Sequence, residues 1–237
     1  MTLLDEVLEA HGGLAHWRDM RRFVVHMSID GSLLESKGWG GALREMVVEG
    51  QSLEPYLRMT GFGAVGQVGF YSPDWILLQQ LDGTVLGEWT GPPAALAGQV
   101  DERQWSAQEL AFFCGYRIWH DLGAPFLFAG PGVRCEDAGL WHESGETWRR
   151  LRIGFENDVL CTREQHLYID ANCLQRRLDY AAREAGERMV AQYTWAHQSF
   201  SGIVIPTLRR SLLLGADGRP DPAVELLRSE IFDARFE

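Results

Sequence analysis

The sequence is poor in cysteine, and the few cysteines that it has are scattered singly along the chain. They are Cys114, Cys135, Cys161 and Cys173, and no two of them form a C-x-x-C pair. This spacing argues against a zinc knuckle and against a disulfide scaffold, because both need paired or closely spaced cysteines. We therefore expect free thiols in a reducing compartment.

Basic residues are scarce relative to acidic ones. The 33 aspartates and glutamates outnumber the 22 lysines and arginines, which gives a formal net charge of −11. Such a field repels phosphate backbones, so nucleic acid is not an expected partner. The first residues, MTLLDEVLEAHGG, lack both a basic n-region and an apolar h-region. This absence of a signal peptide predicts a cytoplasmic protein.

Local motifs for metal binding and for nucleophilic catalysis are also missing. None of the seven histidines forms an H-x-H or H-E-x-x-H pattern. These spacings would place two imidazoles on one metal ion, so we predict no metal site. No G-x-S-x-G nucleophile elbow is present either, which disfavours a serine hydrolase.

One glycine pattern imitates a nucleotide-binding fingerprint. Gly61, Gly63 and Gly66 match G-x-G-x-x-G, but the fingerprint binds a pyrophosphate only where a long helix follows it. Pro73 stops any helix almost at once. We predict either a flexible glycine-rich loop or a glycine-bearing strand here, and no cofactor.

Period-two alternation and turn dipeptides predict strands over most of the chain. Short connections of this kind join antiparallel neighbours, because parallel strands need long crossovers. No linker or repeat interrupts the pattern, so we predict a single domain over residues 1–237. The turn signals are Asp82-Gly83, Ser144-Gly145, Ala171-Asn172 and Ser201-Gly202.

One long helix interrupts the strands. Ser106-x-x-Glu109 is a capping box, and Gly123 and Pro125 supply a stop. These signals predict a helix over about residues 106–122. The apolar run that follows is far shorter than the ~20 residues needed to cross a bilayer, so we predict no membrane span.

A helical wheel divides this helix into a broad apolar arc and a narrower polar arc. This division predicts a helix packed into a concave antiparallel sheet with one edge wet, which is an α+β half-barrel. The apolar arc contains Phe112, Tyr116, Ile118, Trp119 and Leu122, with Phe113 at its edge. The polar arc contains Cys114, Arg117, His120 and Asp121.

The run REQHLYID holds the best candidate constellation. As a strand it would place Glu164, His166 and Tyr168 on one face. Such a face could grip an organic ligand or transfer protons. The alternative is that this face meets solvent while Leu167 and Ile169 face the core. Neighbouring strands could add Tyr180, Tyr193, Trp195 and His197.

Arginines recur along the same predicted strands. They either pair with carboxylates across strands or form a clamp for a carboxylate or phosphate ligand. Arg117 and Asp121, four residues apart, leave the same two alternatives open. The strand arginines are Arg149, Arg150, Arg152, Arg176, Arg177, Arg209 and Arg210.

The second half of the chain resembles the outer-membrane lipoprotein-carrier superfamily of LolA-like folds. The resembling segments are REQHLYIDANCLQRRLDY, YTWAHQSFSGIVIPTLRRSLLL and ELLRSEIFDARF. The stretch AHGGLAHWRDMRRF also resembles the first helix of uncharacterised bacterial proteins with that fold. The resemblance implies an unclosed β half-barrel lidded by helices, around an apolar cavity that holds acyl chains in the family. The chain lacks the carriers' signal peptide and lipid-modified cysteine, so the resemblance points to a cytoplasmic branch.

The leading hypothesis is a protein that binds a small apolar or lipid-like molecule inside the half-barrel, because the aromatic helix and aromatic-rich strands offer more ring surface than a core needs. Three rings of the helix would line the cavity, and three rings of the sheet would lie opposite. These six residues are Phe112, Tyr116, Trp119, Tyr168, Tyr193 and Trp195.

The alternative hypothesis is a cofactor-independent enzyme, of cyclase, isomerase or hydrolase type, that acts on a hydrophobic metabolite in the same cavity. Its proton-transfer residues would be Glu164 and His166, with His197 and His120 as further candidates. A third possibility is an interaction protein whose aromatics form a core and a homodimer face.

Overall fold

The alternating segments form one antiparallel sheet of 13 strands in a computed structural model that describes residues 1–91, 103–156 and 162–237. The first six strands are β1 (Arg22–Asp30), β2 (Met46–Gln51), β3 (Leu57–Thr60), β4 (Gln67–Ser72), β5 (Trp75–Gln80) and β6 (Val85–Thr90). The others are β7 (Val133–Glu143), β8 (Glu146–Phe155), β9 (Glu164–Ile169), β10 (Gln175–Ala182), β11 (Arg188–Phe200), β12 (Ile203–Leu214) and β13 (Pro220–Phe236).

The strand order is β6-β5-β4-β3-β2-β1-β13-β12-β11-β10-β9-β8-β7, so two meanders meet where the first strand pairs with the last. Strands β6 and β7 remain as free edges, and the sheet is an unclosed half-barrel. Each predicted turn dipeptide lies between two paired antiparallel strands. The predicted α+β half-barrel is therefore confirmed.

Four helices accompany the sheet, together with two short 3-10 turns, among the described residues. They are α1 (Leu3–Ala10), α2 (Leu14–Asp19), α3 (Ser32–Ser36) and α4 (Ala107–Gly123), and the 3-10 turns are Phe126–Ala129 and Arg183–Ala185. The capping box of α4 is formed in both directions: the Glu109 amide donates to Ser106 Oγ and the Ser106 amide donates to Glu109 Oε2. No described helix has the length and apolar character that a membrane crossing requires.

Glycines set two local features of this architecture. Gly61, Gly63 and Gly66 all have positive φ, between 66° and 79°, in the loop that joins β3 to β4. The predicted glycine-rich loop is confirmed. In α4, Gly115 lies directly against the ring of Tyr71 on β4, so the absence of a side chain allows the helix to approach the sheet.

The prediction of a wet edge on α4 is wrong. From Glu109 to Gly123 nearly every side chain of the helix is buried, including Arg117 and His120. The polar arc is buried because strands of the sheet that face it supply hydrogen-bond partners. One example is the hydroxyl of Tyr180 on β10, which accepts a hydrogen bond from Arg117. A buried ion that is hydrogen-bonded on several sides does not need solvent.

Candidate functional site

A largely apolar groove of about 480 Å³ opens at the C-terminal end of α4. This volume falls within the range of ~300–1,000 Å³ that small-molecule sites occupy. Its walls come from α2, the turn after β2, the 3-10 turn after α4, and the adjoining ends of β7 and β8. The lining residues are Leu14, Trp17, Arg18, Ser52, Leu53, Trp119, Phe126, Leu127, Ala129, Gly130, Pro131, Gly132, Val133 and Phe155.

Three buried rings form the aromatic part of the groove. Trp17 of α2 stacks on Phe126, with ring centroids 4.6 Å apart and an interplanar angle of 3°. Trp119 donates its indole N–H to the backbone oxygen of Gln51 at 3.1 Å, which fixes the ring between helix and sheet. The groove therefore has a rigid aromatic wall, as ligand sites commonly do.

More exposed apolar side chains complete the opening. Leu53 is exposed, and Leu14, Leu127 and Phe155 are half-buried. Apolar side chains that converge on one open concavity are characteristic of a ligand or protein contact site, whereas singly scattered ones are ordinary surface. The groove is accordingly the candidate functional site of the described chain.

Of the six predicted ligand-binding residues, only Trp119 lines this groove. Phe112 packs between Tyr71 and Tyr116. The Tyr116 hydroxyl donates to Glu184 Oε2 at 2.8 Å, away from the groove. Trp119 thus forms part of the groove wall, while the other two predicted helix residues pack between α4 and the sheet.

The other three predicted residues lie on the opposite face of the sheet from α4. Gln165 hydrogen-bonds to His120 of α4, so Tyr168, three positions along β9, points to the far side. Tyr193 and Trp195 stack there, with centroids 5.8 Å apart. The structure brings the three sheet aromatics to one region, but they do not face the rings of α4 across a shared cavity.

The sheet aromatics surround a cation from the chain itself. The Arg177 guanidinium lies 4.9 Å from the ring centroid of Tyr168, 5.3 Å from that of Tyr193 and 5.6 Å from that of Trp141. It also donates twice to Asp179, at 2.6 and 2.8 Å. The position that a bound ligand would need is therefore filled by Arg177.

Burial and neighbouring charges shift the pKa values of Asp179 and Tyr168 in this cluster. Burial raises the pKa of the Asp179 carboxyl, although the bidentate pairing with Arg177 acts in the opposite direction. Burial, together with the neighbouring carboxylate of Asp179, raises the pKa of Tyr168 to about 12. The hydroxyl of Tyr168 therefore stays protonated at neutral pH and donates to Asp179 at 2.8 Å.

The four predicted proton-transfer residues do not converge on one site, although Glu164 and His166 lie side by side. Glu164 accepts two hydrogen bonds from Arg152, at 2.8 and 2.6 Å, and the resulting ion pair is exposed. His166 lies 3.8 Å from Glu164, and burial lowers the pKa of its imidazole. Both residues lie on the outer face of the sheet, whereas His120 is buried between α4 and β9.

A polar network occupies the interior beside His120. Arg117 donates to Asp121 at 3.2 Å and to Ser211 at 3.2 Å, and Gln192 donates to Asp121 at 3.1 Å. Arg209 donates to the backbone oxygen of Asp121 at 2.6 Å. Burial alone would raise the pKa of Asp121, but the charge of Arg117 and the other donors outweigh it and hold this pKa well below its usual range.

This network leaves little room for a ligand inside the half-barrel. The two cavities beside Arg117 measure about 20 and 10 Å³, which is about the space of one water molecule each. Among the described residues, the polar side chains of α4 and their partners occupy the interior of the half-barrel beside Arg117, and the candidate groove opens at the end of the helix.

His197 lies in a second buried contact. Its ring packs edge-on against His11 at the end of α1, with centroids 6.1 Å apart. Burial, aided by His11, Arg209 and Arg176 and opposed by Asp170, lowers the pKa of His197 to about 4. Nε2 of each imidazole is buried without a hydrogen-bond partner among the described residues.

This contact predicts a loss of stability in acid. Between pH 6.5 and about 4, the His197 imidazole is protonated in the unfolded chain but stays neutral in the folded protein. The free energy of unfolding is therefore highest above pH 6.5 and decreases as the pH falls towards 4. Because His197 is only half-buried, solvent screens part of this effect, and we expect the loss to be on the order of 1–2 kcal/mol. Urea unfolding between pH 7 and 4 should therefore give a flatter profile for His197→Gln than for the unaltered protein.

His142→Gln provides the control, since His142 is an exposed histidine in a hairpin. It should leave the pH profile unchanged. Equal slopes for His197→Gln and the unaltered protein would contradict the assignment of the acid effect to this buried pair.

The described residues offer no ready metal site. Across residues 1–91, 103–156 and 162–237, no three side chains of histidine, cysteine, aspartate or glutamate are grouped to hold an ion. Cys114, Cys135 and Cys173 are free thiols, and Cys161 lies outside the described residues.

Sequence reasoning missed most of the groove. The apolar run after Asp121, LGAPFLFAGPGV, was interpreted only as too short for a membrane span. It supplies Phe126, Leu127 and Ala129 to the groove wall. The apolar character of this run was its only sequence signal, and it did not show that Leu127 would lie half-buried in the groove wall between two buried phenylalanines.

Comparison with known proteins separates fold from sequence. No protein-family model matches the chain, and no curated protein matches it by sequence. A solved domain assigned to outer membrane lipoprotein-sorting proteins, from Vibrio parahaemolyticus, matches 96% of this chain and 93% of its own, with TM-score 0.54 and 9% identity. A LolA superfamily protein from Nitrosomonas europaea matches 98% and 92%, with TM-score 0.52 and 9% identity.

The chain has a LolA-like fold. A DUF1329 family protein from Desulfovibrio piger agrees with this, covering 99% of this chain and 92% of its own with TM-score 0.52 and 11% identity. The predicted resemblance is therefore confirmed at the level of the LolA-like fold. At such identities the likeness concerns architecture alone, because one fold carries many functions.

Proposed function

We propose that the protein binds a small, largely apolar organic molecule or lipid-like ligand in the groove at the end of α4. The proposal rests on the groove itself. It has a volume of about 480 Å³, and its walls are buried aromatic rings and half-exposed aliphatic side chains. The LolA-like fold supports the proposal, since a neighbour of this fold is named for lipoprotein sorting. The site proposed here differs from the predicted one inside the half-barrel.

The groove offers apolar contact without catalytic groups. Apart from Arg18 and Ser52, the described lining residues are aliphatic, aromatic, glycine or proline. Glu164, His166, His120 and His197 all lie outside it. Burial of apolar surface, at ~25 cal/mol per Å², would supply most of the affinity. Binding is for these reasons preferred to the enzymatic alternative.

Filling the groove is expected to abolish binding of a neutral apolar probe. In Ala129→Trp, a half-buried alanine of the wall becomes an indole that occupies the space of the ligand. We expect the Kd of 1-N-phenylnaphthylamine, measured by the fluorescence of the dye, to rise at least about tenfold, the equivalent of 1.4 kcal/mol.

Ala171→Trp is the matched control, because Ala171 is exposed in the β9–β10 turn, away from the groove. It should bind the dye as the unaltered protein does. Unfolding midpoints of both variants show whether the fold is kept. Failure of the unaltered protein to bind the dye, or equal binding by Ala129→Trp, would disprove the proposed site. Mass spectrometry of molecules released on denaturation gives an independent identification of the ligand.

A further inference from the structure

Among the described lining residues, only two interrupt the apolar wall of the groove with hydrophilic side chains. They are Arg18 on α2 and Ser52 in the turn after β2. The indole of Trp119 is already engaged with a backbone oxygen. Specificity in a mostly apolar site comes from such few polar groups, so these two side chains decide what else the ligand carries.

Ser52 is buried but unsatisfied. Ser52 is 1% exposed, and its Oγ has no hydrogen-bond partner among the described residues. The backbone N–H of Ser52 donates to the oxygen of Arg21 at 3.2 Å, so only the hydroxyl is left over. An unpaired buried hydroxyl costs about 1–3 kcal/mol, which a ligand oxygen in the groove would recover.

Arg18 is a cation with no opposing carboxylate among the residues that the structure describes. It is exposed on α2 and forms no ion pair with any residue in the described part of the chain. Its neighbour Asp19 follows it directly, and adjacent helix residues do not face each other. A positive charge beside an apolar groove favours a ligand whose apolar body ends in an anion.

The rest of the molecule sharpens this preference. The net charge of −11 repels anions in general, so an anionic ligand is attracted only where a local cation is left unpaired. Within the groove wall of the described chain Arg18 is the only charged side chain. The apolar body and the charged end therefore have separate, adjacent places.

We infer that the ligand of this groove is an anionic amphiphile, an alkyl chain that ends in a carboxylate or a phosphate. The chain lies against Trp17, Trp119 and Phe126, and the anionic end accepts hydrogen bonds from Arg18 and Ser52. This inference rests on the proposed function, which requires only that an apolar molecule binds.

The test compares amphiphiles with the same alkyl chain and different ends. Dodecanoate, dodecyl phosphate and neutral dodecanol are titrated calorimetrically, below their micelle concentrations and at low salt. We expect each anion to bind about tenfold more tightly than dodecanol, because a charge-assisted hydrogen bond contributes about that factor. Raising the ionic strength should reduce the difference, since Arg18 is exposed. The tighter of the two anions identifies the head group, and a preference for either supports the inference.

Variants assign the preference to its residues. In Arg18→Gln we expect the anion to lose its advantage over dodecanol, while Arg18→Lys retains part of it. Arg219→Gln is the control: it makes the same charge change at an exposed arginine in the β12–β13 turn, and the preference should survive. Ser52→Ala should weaken anion binding without lowering the stability of the free protein, because the lost hydroxyl was unsatisfied.

The outcomes separate the two proposals. If dodecanol and the neutral dye bind but dodecanoate and dodecyl phosphate bind no better, the inference is overturned and the apolar site stands. A preference that persists in Arg18→Gln also overturns it. If neither neutral nor anionic molecules bind, both the proposed function and this inference are wrong.

Discussion

Replacing Arg177 with methionine is expected to lower the free energy of unfolding by about 3–5 kcal/mol, the usual cost of removing one partner of a buried ion pair. The Arg177 side chain is 1% exposed, and that of Asp179 is 7% exposed. Methionine fills a similar volume, so the expected loss comes from charge and hydrogen bonding rather than from an empty cavity.

The size of this effect follows from what the substitution leaves behind. Arg177 donates two hydrogen bonds to Asp179 and one to Glu143 at 2.6 Å, and a further one to the Tyr193 hydroxyl at 3.1 Å. Without the guanidinium, two carboxylates remain inside a ring of aromatic side chains. A charge deprived of its partner in such surroundings either takes a proton or draws in water.

A surface pair of the same residue types provides the control. Arg134 and Glu156 lie 2.9 Å apart, with side chains 76% and 54% exposed. Exposed pairs contribute about 0–1 kcal/mol, so Arg134→Met should change stability by no more than that. Both variants are measured by urea unfolding at pH 7. If both variants lost a similar free energy of unfolding, the Arg177 cluster would contribute no more to stability than an exposed ion pair does.

A compensating variant tests the mechanism. If the stranded carboxylate causes the loss, replacing Asp179 by leucine in the Arg177→Met background should restore part of the stability, because it removes the unpaired buried charge. A further loss in the double variant would mean that packing, rather than the unpaired charge, dominates.

The parts of the fold that could be predicted are those encoded by near neighbours. The capping box of α4 depends on Ser106 and Glu109, three positions apart, and the helix was predicted to within a residue of its observed end. The turn dipeptides likewise act within one hairpin, so the antiparallel pairings that they close were predicted. The exception is the pairing closed by Ser144-Gly145: strand β8 was predicted after this turn, but strand β7 before it was not, since its alternation is broken by a bulge between Asp137 and Leu140.

The parts that could not be predicted depend on distant partners. The polar arc of α4 was expected to meet water, but Arg117 pairs with residues 63 and 94 positions away, Tyr180 and Ser211. His120 finds Gln165 at a separation of 45 positions. A helical wheel shows only the residues of one helix and not their distant partners. On the wheel, a polar arc that is buried against such partners therefore looks the same as one that meets solvent.

The candidate site illustrates the same limit. Trp119 was predicted to line a cavity inside the half-barrel, and in the structure it lines the groove at the end of α4. The groove combines Leu14, Leu53 and Phe155, which are far apart in the sequence and meet only in the folded chain. The period-two alternation predicted which strand residues share a face, as it did for Tyr168 and His166. It did not predict which of the two sheet faces packs against α4.

The second large effect is expected from Gly115→Ala. Helix propensity alone predicts that this change stabilises α4 by about 1 kcal/mol, because alanine is the better helix former. Packing predicts the opposite. A Cβ at this position would lie 2.0 Å from Cγ and 2.6 Å from Cβ of Tyr71. These atoms are the root of the side chain, so no rotation of the ring relieves the clash.

The clash is expected to prevail. Overpacking typically costs about 1–3 kcal/mol, and a contact at the root of a ring falls at the upper end, which leaves a net loss of about 2 kcal/mol. Gly154→Ala is the control, because an added Cβ there meets nothing within 4 Å. It should leave the free energy of unfolding unchanged or slightly raised.

The same substitution links the packing of α4 to the groove. To relieve the clash, α4 has to move away from β4, and this shift carries Trp119 away from the Gln51 oxygen that holds it. We therefore expect Gly115→Ala to weaken dye binding as well as stability, whereas Gly154→Ala affects neither. A stabilised Gly115→Ala protein with full dye binding would show that helix propensity outweighs the contact with Tyr71. A destabilised protein with full binding would show that the groove tolerates movement of its helix.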